Sequence, residues 1–129
     1  MGTVERGSAV VETAITLPIL LIVTLAVLQF ALYAHASHVV AAAAREGART
    51  AAADGASLEE GVAYAQDLLR VGLGQTGDVI GLRAVDDGQS VTVTATGHLS
   101  MVIPWVADAG LPLHAKAAVA KERFRAGGL

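Results

Sequence analysis

In this 129-residue sequence, the chemistry-bearing residues cluster at the two ends of a long uncharged run. Glu5-Arg6-Gly7-Ser8-Ala9-Val10-Val11-Glu12 stands immediately before it, and the stretch from Thr13 to Ala34 carries no formal charge. A carboxylate at the edge of a lipid-embedded helix costs energy, approaching ~3 kcal/mol if it is drawn to the bilayer centre, so Glu12 asks for a partner or a function. A plainer role is also open, in which Glu12 lies at headgroup level and favours the positive end of the helix dipole. Beyond the run, Arg45-Glu46-Gly47-Ala48-Arg49 places two guanidinium groups at i,i+4 on one helical face, next to an alanine tract. Small side chains there let another backbone approach, which makes Arg45, Glu46, Gly47 and Arg49 candidates for a subunit or partner contact. A solvated helix face with a charged patch has the same pattern.

Enzyme chemistry is poorly represented. There is no phosphate loop, no Gly-x-Ser-x-Gly elbow and no His-Glu-x-x-His. His35 and His38, spaced i,i+3, could ligate a metal with His98 or His114 as a distant third, but two histidines just past a membrane helix are more often interfacial. No metal, cofactor or catalytic residue is expected. An exported enzyme would need a pocket joining polar residues such as His98 and Asp108. The absence of cysteine excludes disulfides, iron–sulfur clusters and a cysteine nucleophile. A net charge of −3, with nine Lys and Arg spread along the chain, argues against nucleic-acid binding, which needs a basic surface.

The element that must position these residues is visible in the composition. The chain is 53% hydrophobic and 16% charged, with a mean hydropathy of +0.55. Thr13 to Ala34 supplies about 22 uncharged residues, enough for the roughly 20 that a membrane-spanning helix needs. The about one dozen Leu, Ile, Val and Phe in it favour insertion by roughly 4 to 7 kcal/mol before penalties for Pro18, Gln29 and the threonines. A buried core helix is the poorer reading, since the remaining chain could hardly surround a helix apolar on every face. Ala34-His35-Ala36 has the form of a signal-peptidase site, but the apolar region before it far exceeds the usual h-region. Ser37 to Ala53 continues in helix-forming residues without proline, so one helix over about 8–53 is expected, with a slight bend at Pro18.

Glycine followed by a small residue, a glutamate five positions after the glycine, and a long apolar run resemble the processing site of type IV prepilins and pseudopilins. More narrowly, Arg6-Gly7, Ala9, Val11-Glu12, Leu17-Pro18 and Ala44-Arg45-Glu46-Gly47-Ala48-Arg49, in that order, resemble the TadE-like family of pseudopilin-like components of the tight-adherence pilus and secretion system. The resemblance implies cleavage by a membrane aspartyl prepilin peptidase between Gly7 and Ser8, which would make Glu12 the fifth mature residue. A new α-amino group at Ser8 beside Glu12 is a pairing the physics permits, within one subunit or between packed ones. The family usually has a bulky residue after the cut, so Ser8 points to a divergent branch. The resemblance further implies membrane lipid, the peptidase and other TadE-, TadF- and TadG-like pseudopilins as partners. It also implies a single pass through the bacterial cytoplasmic membrane with the C-terminal domain outside. Charge counting leaves orientation open, because Arg6 flanks one end of the helix and Arg45 and Arg49 the other.

The remaining chain reads as a small α+β domain over 54–129, with 1–7 as a leader. Asp54-Gly55-Ala56 breaks the long helix, and Ser57-x-x-Glu60 resembles a capping box opening an amphipathic helix with Leu58, Val62, Ala65, Leu69 and Leu73 at helical spacing. Gly72, Gly74 and Gly77 end it. Val79 to Val85 and Val91 to Thr96 form a hairpin through Asp86-Asp87-Gly88-Gln89, with Val91, Val93 and Ala95 buried and the alternating threonines wet. Met101 to Leu111 is an apolar loop carrying Trp105, as core cover, an interface or a patch near lipid headgroups, with core cover the default. Leu113, Ala115, Ala117 and Val119 alternate as a third strand, and the tail after Phe124 is expected to be mobile. Three strands without disulfides need helices on their apolar face. The order of long helix, then hairpin sheet, is pilin-like. Two functions follow: a non-enzymatic pilus-assembly or secretion component, or an uncleaved single-pass anchor displaying a small binding domain.

Overall fold

The computed structural model describes residues 2–106 and 108–121, so the expected mobile tail lies outside the described residues. α1 runs Gly2–Ala52, about 76 Å at 1.5 Å per residue. It starts six residues ahead of Ser8, with Glu5 in its first turn at the positive end of the dipole. Pro18 is accommodated inside the helix, and the helix ends before Gly55, whose φ of 76° suits only glycine well.

α2 spans Leu58–Leu73 and opens with the expected capping box: Glu60 N–H donates to Ser57 Oγ (3.2 Å) and Ser57 N–H donates to Glu60 Oε2 (2.9 Å). Of the three glycines expected to end it, only Gly74 does so, at φ 58°, its N–H donating to the Arg70 carbonyl (2.9 Å). Gly72 stays inside α2 facing Val39 of α1, and Gly77 lies in a further short helix, α3 (Gln75–Asp78). That extra turn uses Val79 as its cap, so β1 begins at Gly81 rather than Val79.

β1 (Gly81–Asp86), β2 (Ser90–Leu99) and β3 (Leu111–Ala120) form one antiparallel sheet in the order β1-β2-β3. Gly81 pairs with Thr96 and Leu99 with Leu111, so β2 runs on past Thr96 to Leu99, and β3 begins at Leu111, the last residue of the expected Met101–Leu111 loop. The outer half of α1 and α2 cover one face of the sheet. Ala36, Val40, Ala43, Ala44 and Ala48 from α1 and Ala65 and Leu69 from α2 meet Val91, Val93, Ala95 and Leu113, all buried. Alanine at nearly every core position of α1 brings its backbone close to both neighbours, which compensates for the scarcity of large side chains. Thr92, Thr94 and Thr96 face away from the helices, as the alternation requires.

Trp105 departs from its default. It is 74% exposed, in a 3-10 turn (Pro104–Val106), because the alanine-rich helix and Leu113 already fill the space under the sheet. The inner half of α1 is the opposite of a core helix: only 6% of its most apolar window is buried, and Ile15, Leu17, Leu20 and Val27 are more than half exposed.

Candidate functional site

Gly7, Ser8 and Glu12 all lie on the exposed, helical beginning of α1. A Cβ built on Gly7 meets nothing within 4 Å, so nothing within the described fold requires glycine there. Ser8 and Glu12 are i,i+4 neighbours, one turn apart, about 6 Å along the axis. Glu12 has no hydrogen bond or ion pair among the described residues. With Ala9, Thr13, Thr16 and Leu20 it forms one stripe along the helix, small and polar at the start and apolar farther in.

The second candidate group separates into two places. Gly47 is buried at the crossing of α1 and α2, where a Cβ would lie 2.8 Å from Ala65 Cβ and 3.0 Å from the Gly61 carbonyl oxygen. The close backbone approach suggested by its small side chain is therefore made within the chain, by α2. Arg45 and Arg49 point outward instead; Arg49 lies 3.6 Å from Glu46, an exposed i,i+3 pair of small energetic value. Together with Lys116 on β3 they border a shallow groove of about 460 Å³ between α1 and the edge of the sheet. Lys116 was not singled out from the sequence, although its place between the inward Ala115 and Ala117 marks it as outward-facing.

His35 Nε2 is 3.1 Å from the Gly72 carbonyl oxygen, a second tie between α1 and α2, and His38 is exposed. His98 and His114 lie on the sheet. No grouping of three His, Asp or Glu suited to a metal occurs among the described residues.

Gln29 entered the sequence reading only as an insertion penalty, and it has a structural role. It is 6% exposed, and its Oε1 accepts a hydrogen bond from Val102 N–H at 2.6 Å, while its Nε2 has no partner among the described residues. One turn on, Tyr33 Oη donates to the Pro112 carbonyl at 3.2 Å. These two bonds fix the end of the sheet against the apolar helix. At the opposite end of the sheet, the hairpin turn is held by carboxylates. Asp87 Oδ1 accepts from Gln89 N–H (2.9 Å) and Ser90 N–H (2.7 Å), and these bonds hold its pKa below the usual carboxylate value. Asp86 is lowered too, first by Lys121 and then by Gly88 N–H.

A family model described as TadE-like protein matches residues 7–49. Over that stretch the chain is similar to TadE-like proteins. The matched segment begins at Gly7, includes Glu12 and the Leu17-Pro18 step, and closes on Arg49, so it contains the processing candidates Gly7, Ser8 and Glu12 and the helix-contact candidates Arg45, Glu46, Gly47 and Arg49. In the fold it is most of the exposed half of α1 plus most of the part that α2 and the sheet cover. Neither a curated protein nor a solved structure matches the chain. α2 and the sheet thus lie outside the TadE-like segment.

Proposed function

We propose that this protein is a non-enzymatic, pseudopilin-like component of tight-adherence pilus assembly or secretion, anchored by the inner half of α1 and cut by a prepilin peptidase between Gly7 and Ser8. The observation that carries the reading is the exposed Gly7-Ser8…Glu12 sequence at the head of an unburied apolar helix, inside the TadE-like segment. Gly7 suits a peptidase cleft because it has no side chain to exclude. Cutting at Ser8 creates an ammonium group one helical turn from Glu12. Partial neutralisation of that carboxylate, in the same chain or a neighbouring one, lowers the cost of keeping it beside lipid.

In this reading the protein crosses the bacterial cytoplasmic membrane once, with α2 and the sheet on the outer side. The stripe of Ala9, Glu12, Thr13 and Thr16 packs against the helices of other pseudopilins, where small and hydroxyl side chains permit close approach and interhelical hydrogen bonds. The groove of Arg45, Arg49 and Lys116 is the corresponding contact surface outside the membrane. Mass spectrometry of the N-terminus of protein made in cells containing the peptidase tests the proposal. Ser8 as first residue supports it. Retention of the residues through Gly7 refutes processing and leaves the uncleaved anchor with a small displayed domain.

A further inference from the structure

Between β2 and β3 the chain presents apolar side chains outward: Trp105 is 74% exposed and Val102 40% exposed, with Met101 and Ile103 half-buried. Residues 99–106 contain no charged side chain, and Trp105 is the only tryptophan in the sequence. Exposed apolar surface of this kind marks a contact, and its level along α1 indicates with what.

That level is fixed by two hydrogen bonds, Val102 N–H to Gln29 Oε1 and Tyr33 Oη to the Pro112 carbonyl. With Glu12 at one boundary of the hydrocarbon layer, Gln29 lies about 25 Å along the helix axis, still inside a layer of about 30 Å. The Cα–Cβ bond of a helical residue leans toward the helix N-terminus, so the Gln29 side chain starts toward the membrane interior from its own backbone. A segment hydrogen-bonded to it therefore meets lipid.

We propose that the Met101–Val106 segment inserts into the lipid interface of the leaflet where α1 leaves the membrane, with Trp105 and Val102 as the inserted side chains. This rests on the reading of α1 as a membrane anchor. The ligand is the boundary between headgroups and acyl chains, where the amphipathic indole is favoured and Val102 leaves water. The same geometry gives Gln29 a reason to be in an apolar helix, since its amide oxygen accepts the Val102 N–H, which would otherwise face lipid unpaired. The segment is thus a second attachment point that holds the sheet close to the membrane surface.

The single tryptophan is the probe. The full chain is reconstituted into phosphatidylcholine vesicles, its association is checked by flotation, and Trp105 emission is read with lipids brominated near the headgroup, lipids brominated near the methyl end, or aqueous acrylamide. Insertion predicts blue-shifted emission, loss of most of the signal with the shallow bromine, a weaker loss with the deep one, and protection from acrylamide. Protein that floats while Trp105 is quenched by acrylamide and not by bromolipid overturns the insertion and leaves the anchor standing. Shielding from both quenchers also overturns it and assigns the patch to a protein contact. Failure to float removes the anchor and the insertion together.

Discussion

Gly61 of α2 lies over Gly47 of α1 with no room for a side chain on either: a Cβ on Gly61 would fall 2.5 Å from the Gly47 carbonyl oxygen, and one on Gly47 would fall 3.0 Å from that of Gly61. In an exposed helix, replacing glycine by alanine stabilises by roughly 0.5–1 kcal/mol. Here the sign reverses. Gly61→Ala is expected to destabilise the domain by about 1–3 kcal/mol, because its nearest neighbours are backbone atoms and Ala51 Cβ, which cannot swing aside. Gly47→Ala should cost less, its nearest neighbour being Ala65 Cβ. Denaturant unfolding of the detergent-solubilised chain measures both, and a stabilised Gly61→Ala variant would contradict the crossing.

Replacing Gly7 by leucine separates a processing role from a folding one. The position is open on all sides, so thermal stability should equal that of the parent chain. If the peptidase needs glycine, the same variant accumulates as an uncut precursor, visible as a mass increase of the Met1–Gly7 segment. Normal cleavage of Gly7→Leu would argue against the proposed site.

Glu12→Ala removes a carboxylate that no described residue pairs with. Insertion should persist or improve, since the change relieves a penalty of at most ~3 kcal/mol. Maturation or assembly into a pseudopilin complex should fall. Carbonate extraction reads the first, and the ratio of precursor to mature protein, with co-purification of partner pseudopilins, reads the second. Full maturation and assembly by this variant would leave Glu12 with only its place at the helix end.

The β1–β2 turn should weaken in acid. The pKa of Asp87 is lowered in the folded chain by the Ser90 and Gln89 amides, so its contribution is complete above the unfolded value near 4 and disappears as pH falls through the lower folded value. Asp86, lowered by Lys121, changes in the same direction. The unfolding midpoint of the parent chain is therefore expected to exceed that of Asp87→Ala at neutral pH, with the gap closing below about pH 4. A gap that stays constant into acid would show that the carboxylate charge is not what the turn uses.

Much of this architecture is local and was legible residue by residue. The uncharged run, the Ser57–Glu60 capping box, the Asp-Gly turn and the alternation of Val91, Val93 and Ala95 each depend on neighbours within a few positions. Element ends were less so: β1 starts at Gly81 because α3 forms before it, and β3 reaches back to Leu111 because Leu99 offers a pairing partner. The fates of Gly47 and Trp105 required packing. An alanine-glycine tract advertises close approach without saying to which helix, and α2 of the same chain takes it. A lone tryptophan in a small domain suggests core, but a core built from alanines leaves no space for an indole.

The sequence by itself determined that one helix would be apolar all round and then alanine-rich, that Gly7 and Glu12 would stand at its head, and that a small sheet would need that helix as cover. These follow from hydropathy, helix propensity and strand alternation, which act along the chain. Only the tertiary structure decided that Gln29 would hold Val102, and thereby at what level along the helix the sheet ends. A hydrogen bond between residues so far apart in sequence depends on where the whole domain comes to rest, and that is set by the summed packing of Ala36 to Ala52 against α2 and the sheet.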